Sequence, residues 1–112
     1  MTADLEPLST DINDFLFCDV ETRSTHDVTI AGAYNHTANG RVTILAYAIG
    51  DAPVQDWCIG SFDPGVRLNW SDAPDDLKAA LRRVKAGTMW MVAWNAAFEL
   101  LAFTRAMDGD IG

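Results

Sequence analysis

Phe15-Leu16-Phe17-Cys18-Asp19-Val20-Glu21-Thr22 runs from a continuous apolar stretch into two carboxylates spaced i and i+2. A short apolar run of this kind reads as a buried strand, here over Phe15–Asp19. Residues two apart on an extended chain point the same way, so Asp19 and Glu21 aim at one point in space. Two like charges held at the edge of a core are costly unless a cation offsets them. A hard divalent metal bound through oxygen is the usual solution. The competing reading ends the strand at Asp19 and leaves both acids solvated.

At 112 residues the chain suffices for one small domain with a modest core, and its apolar content of 49% argues against disorder except at the ends. A formal net charge of −8 argues against a free-standing nucleic-acid binder that works through a basic surface. It leaves room for an enzyme that reaches a phosphate backbone through metal ions. Cys18 and Cys58, the only cysteines, both read as buried thiols rather than a disulfide. With His26 and His36 they lack the spacing of a zinc site. The acidic N-terminus carries no apolar signal core, and no run reaches membrane-spanning length. The chain therefore reads as soluble and cytoplasmic, with no membrane partner.

Residues 1–14 form a polar, acidic lead-in, and 15–112 a single domain. After the first strand, Arg23 to Gly40 reads as a connection rich in Thr, His, Asn and Gly. Arg41–Gly50 is a β-branched second strand. Asp51-Ala52-Pro53 turns it back into a third, Val54–Ile59, making an antiparallel hairpin. Ser71, Asp72 and Pro74 open a helix with Leu77, Ala80, Leu81 and Val84 at helical spacing, and Gly87 stops it. Its Lys78, Arg82, Arg83 and Lys85 complement the helix dipole and read as a solvated face rather than a DNA contact. Thr88–Trp94 is a fourth strand, apolar on both faces and so expected to be central. Asn95 caps a second, largely apolar helix from Ala96 to about Met107. A helical crossover between the third and fourth strands implies an α/β fold with a mixed sheet.

Glu99 falls in the first turn of that second helix. If the first and fourth strands are neighbours, their C-terminal ends bring Glu99 near Asp19 and Glu21, and three carboxylates share one cleft. The alternative makes Glu99 a dipole-complementing residue and Asn95 a plain cap.

The two segments together resemble the 3′–5′ exonuclease (proofreading) domain of the family A, polymerase I-like DNA polymerases, especially the phage versions. The family's first motif, Asp-x-Glu-Thr, stands here as Asp19-Val20-Glu21-Thr22, followed by Arg23-Ser24. Its second motif stands as Asn95-Ala96-Ala97-Phe98-Glu99. Gly32-Ala33-Tyr34 and Ile44–Ile49 are also similar to the phage polymerases, and the likeness runs from about Phe15 to Met107. It implies a ribonuclease H-like fold in which Asp19, Glu21 and Glu99 bind catalytic Mg²⁺ or Mn²⁺. Thr22 and Asn95 would position the terminal nucleotide of a single-stranded or frayed DNA 3′ end, and Phe98 would pack beside it. Two ions about 3.5–4 Å apart would activate water and stabilise the leaving 3′ oxygen. Carboxylates rather than His or Cys suit these ions.

Two departures stand against the family pattern. The acid of the second motif is Glu99 where Asp is common. The third motif, a Tyr or His followed four positions later by Asp, is expected after the second motif, and no such segment follows Glu99 in these 112 residues. Asp108 and Asp110 follow the last helix too closely to replace it. The resemblance thus implies a front portion, truncated before the last strand and helices of the sheet and inactive alone. A downstream polymerase region and a bacterial or phage-infected cell are implied with it. Two other readings stay open. One is a non-catalytic ribonuclease H-like binding or interaction module, the other a small metal-binding domain unrelated to nucleic acid.

Overall fold

The computed structural model describes residues 11–24, 32, 40–63, 65–93 and 95–109. Expectations for the lead-in before Asp11, for most of the Arg23–Gly40 connection with His26, His36, Ala33 and Tyr34, and for Trp94 and Asp110 lie outside these residues. Four strands, β1 (Phe15–Ser24), β2 (Gly40–Ile49), β3 (Gln55–Cys58) and β4 (Trp90–Ala93), accompany two helices, α1 (Asp75–Lys85) and α2 (Ala96–Arg105). The strands form one mixed sheet in the order β3-β2-β1-β4. β2 lies antiparallel to both β1 and β3, and β4 lies parallel to β1. The fold is α/β, as the helical crossover requires.

Strict alternation along β1 divides the sheet into two faces. Leu16 and Cys18 are buried under the helices, whereas Phe17, Asp19, Glu21 and Arg23 are exposed on the other face. Leu45 and Tyr47 of β2 stand opposite Val20 and Cys18 and join the covered face. Leu77, Ala80 and Leu81 of α1 and Ala102 and Phe103 of α2 pack on it. The β2–β3 turn depends on Gly50, whose φ of +61° is left-handed and whose added Cβ would meet Asn13 at 3.0 Å. Gly87, with φ of +80°, closes α1 in the same way.

Two polar arrangements anchor this packing. The Asp76 carboxylate accepts hydrogen bonds from the Tyr47 hydroxyl at 2.9 Å and the Gln55 amide at 3.0 Å, tying the start of α1 to the hairpin. Burial, with the hydrogen bond to Asp76 and its negative charge, pushes the Tyr47 hydroxyl up to about 12. Trp70, just before α1, donates its indole N–H to the Phe103 carbonyl at 3.1 Å. Its ring meets Phe103 edge-on at 5.3 Å and Trp57 at 5.7 Å.

The structure departs from the sequence expectations in four places. β1 does not stop at Asp19 but continues to Ser24, because β2 pairs with it past a bulge at Thr43, whose hydroxyl donates to the Glu21 carbonyl at 3.1 Å. β4 is an edge strand rather than a central one among the described residues. It is apolar on both faces because Met91 packs against the core while Trp90 and Val92 stand 43% and 40% exposed on the open face. Cys58 is exposed rather than buried, since β3 is the other edge and Cys58 sits opposite Ile44 on that open face. The end of the expected lead-in is tied down: Asp11 caps a 3₁₀ turn over Ile12–Asp14, and Asp14 pairs with Arg83 at 2.8 Å.

Candidate functional site

The parallel ladder between β1 and β4 ends at Cys18 and Ala93. Beyond it β1 has no partner on that side among the described residues, and it carries Asp19, Val20 and Glu21 past the end of β4. The crevice outside the carboxyl ends of parallel strands is where open α/β sheets place ligands. From Ala93 the chain turns directly into α2. The Asn95 side chain accepts the Phe98 N–H at 3.2 Å and its carbonyl accepts the Glu99 N–H at 3.0 Å. This cap fixes Glu99 in the first helical turn, facing β1.

Glu99 is only 3% exposed, the one buried charged residue among the described residues. Burial raises the pKa of its carboxyl above the ordinary glutamate value, and the negative charge of Asp19 raises it further. Hydrogen bonds from the backbone N–H groups of Glu99 itself, Asn95 and Val20 pull the other way. The Val20 contact brings the carboxyl against the main chain of β1, one residue from Asp19. The Cys18 thiol is pushed up to about 12, first by its own burial and then by the charge of Glu99. One carboxyl oxygen, Oε2 of Glu99, is buried without any hydrogen-bond partner. Native interiors rarely leave such an oxygen unsatisfied.

Asp19 and Glu99 therefore share one neighbourhood at the end of the β1–β4 ladder. They reach it from different sides, Glu99 from the helix-covered face and Asp19 from the open one. Glu21 shares the face of Asp19 by strand alternation, is exposed, and exerts no comparable influence on Glu99. Among the described residues, no three His, Cys, Asp or Glu side chains form a ready metal cluster. Thr22 is half-buried on the helix-covered side, opposite Val42. Asn95 is exposed and Phe98 half-buried at the start of α2.

Sequence reasoning missed two features of this region. One is Cys18, which adjoins Glu99 across the strand–helix contact; nothing in the spacing of the two residues signals that. The other is the pairing of Arg23 with Arg41 at the far end of the same exposed column. The repeat of exposed positions through Asp19, Glu21 and Arg23 held that signal, had the strand been extended past Asp19.

No protein-family model, curated protein or solved structure matches the chain.

Proposed function

We propose that the chain is the front part of a ribonuclease H-like 3′–5′ exonuclease domain that hydrolyses phosphodiester bonds at DNA 3′ ends. The observation that carries this reading is the Glu99 carboxyl, buried beside Asp19 with Oε2 unpartnered. A buried carboxylate oxygen without a donor, next to a second carboxylate, fits an oxygen-liganded divalent cation. The all-carboxylate donor set favours Mg²⁺ or Mn²⁺ over softer metals. Asp19, Glu21 and Glu99 would hold the metal, and Asp19, adjoining both other acids, is the residue they have in common. When bound, such ions activate water and stabilise the departing 3′ oxygen.

The residues themselves supply position. Asn95 fixes the start of α2 and with it the rotation that turns Glu99 toward β1. Thr22 and Phe98 flank the acids and would hold the terminal nucleotide. The remaining acid belongs to a third motif carried by a longer polypeptide, together with the polymerase region the family likeness implies.

In a polypeptide that includes that motif, Asp19→Ala is expected to abolish Mn²⁺-dependent shortening of a 5′-labelled single-stranded oligodeoxynucleotide. The loss should exceed the roughly 10–100-fold that removal of an outer-shell partner costs a metal site. Shortening that persists undiminished in the variant would take Asp19 out of the chemistry and leave the non-catalytic module as the better reading.

A further inference from the structure

Arg23 stands directly opposite Arg41 across the antiparallel β1–β2 pair. Like charges in this relation oppose pairing, so the arrangement needs an offset. Acids are plentiful, with 16 Asp and Glu against 8 Lys and Arg, yet among the described residues neither arginine pairs with one. Arg41 donates to the backbone carbonyls of Val66, at 2.9 Å, and Asp63. Its guanidinium is thereby committed to the loop before α1. The Arg23 side chain is exposed, and no side-chain hydrogen bond or ion pair of Arg23 is present among the described residues. Even Glu21, two positions back on the same face, does not engage it.

The position of Arg23 is as informative as its charge. The β1 bulge lies on the β2 side, so alternation along β1 is unbroken and Asp19, Glu21 and Arg23 form one exposed column. At the usual strand rise, Arg23 lies about 7 Å beyond Glu21 and about 13 Å beyond Asp19. The first of these steps is of the order of the spacing between successive phosphates on an extended nucleic-acid strand. A polyanion approaching a chain of net charge −8 meets general repulsion. A metal would offset it at the carboxylates but not one phosphate further along. A guanidinium, planar and permanently charged, matches phosphate oxygens there.

We propose that Arg23 is a phosphate-binding residue that holds a single-stranded nucleic-acid backbone one step along from the Asp19–Glu21 carboxylates. The proposal rests on the nuclease reading for the direction of the strand but not for the contact itself. It is tested on the full chain by equilibrium binding of fluorescein-labelled dT8 in Ca²⁺ buffer, over a range of salt concentrations. Arg23→Gln should weaken dT8 binding about tenfold, as loss of a charged hydrogen bond does. It should also lower the slope of log K against log salt by about one. Thymidine 5′-monophosphate, which has no second phosphate, should bind both forms alike, and Arg23→Lys should retain most of the affinity. Arg82→Gln, the same charge change on the exposed face of α1, should leave dT8 binding unaltered. Equal weakening by Arg23→Gln and Arg82→Gln, an unchanged salt slope, or no dT8 binding by the unaltered chain would each overturn the proposal. Binding that ignores Ca²⁺ and Asp19→Ala yet still falls with Arg23→Gln would support Arg23 while counting against the nuclease reading.

Discussion

Trp70→Ala is expected to cost about 3–5 kcal/mol, a large loss for one side chain. Trp70 is 3% exposed and joins three separate elements. Its ring lies between Trp57 of β3 and Phe103 of α2, and its N–H satisfies a carbonyl in the last turn of that helix. Truncation opens a cavity at this junction and strands the Phe103 carbonyl. A small domain holds only about 5–15 kcal/mol in total, so most of its margin would go. The midpoint of thermal unfolding should fall by roughly 12–40 °C at about 4–8 °C per kcal/mol. Trp57→Ala, at a half-buried edge-strand position, is the comparison. A shift for Trp70→Ala no greater than that of Trp57→Ala would mean the core is not centred where the packing puts it.

Glu99→Gln is expected to stabilise the metal-free protein at neutral pH, an unusual direction for a buried substitution. Burial and the charge of Asp19 hold the Glu99 carboxyl above its ordinary value of 4.5, so the folded protein binds this proton more tightly than the unfolded chain. Below the ordinary value both states are protonated and no penalty exists. As pH rises through the window between the unfolded and folded values, the unfolded chain releases its proton first and stability falls. Above that window a buried carboxylate with one unpartnered oxygen remains. Glutamine keeps the shape without the charge. In EDTA the variant should match the natural protein in acid and exceed it by about 1–3 kcal/mol at neutral pH. Denaturant unfolding across pH measures this directly. A variant less stable than the natural protein at neutral pH would show that the charge is already compensated within the fold.

The elements of this fold were largely legible from local chemistry. Gly87 marks a real left-handed stop, Pro74 opens α1, and Asn95 caps α2, whereas Gly50, read as the end of the second strand, is the left-handed turn residue that follows it. The mixed sheet followed from a helix separating the third and fourth strands. What local chemistry could not convey was which neighbours each strand finds. β4 is apolar on both faces whether it lies inside a sheet or at an open edge, so its composition did not reveal the exposed Trp90 and Val92. Cys58 misled for the same reason, because a short apolar strand does not announce that it is an edge. The extent of β1 was hidden because Asp19, Glu21 and Arg23 resemble loop residues until their cross-strand partners are known.

The candidate site was legible in part. The first-turn position of Glu99 is readable from Asn95, and the parallel pairing of β1 with β4 brings it beside Asp19. The i, i+2 spacing correctly gives Asp19 and Glu21 a common face. It says nothing of Glu99 arriving from the opposite one, since the face a helix covers depends on the crossover and not on the motif.

The proposal that Asp19, Glu21 and Glu99 share a divalent cation is most directly tested by adding trace Mn²⁺ to the ¹⁵N-labelled chain and following paramagnetic broadening of its amide signals. Broadening should begin at Asp19, Val20, Glu21 and Glu99 and be lost from all four in Glu99→Gln. Broadening that begins instead at Asp75 and Asp76, or spreads evenly over the acidic surface while Val20 stays sharp, would contradict the site.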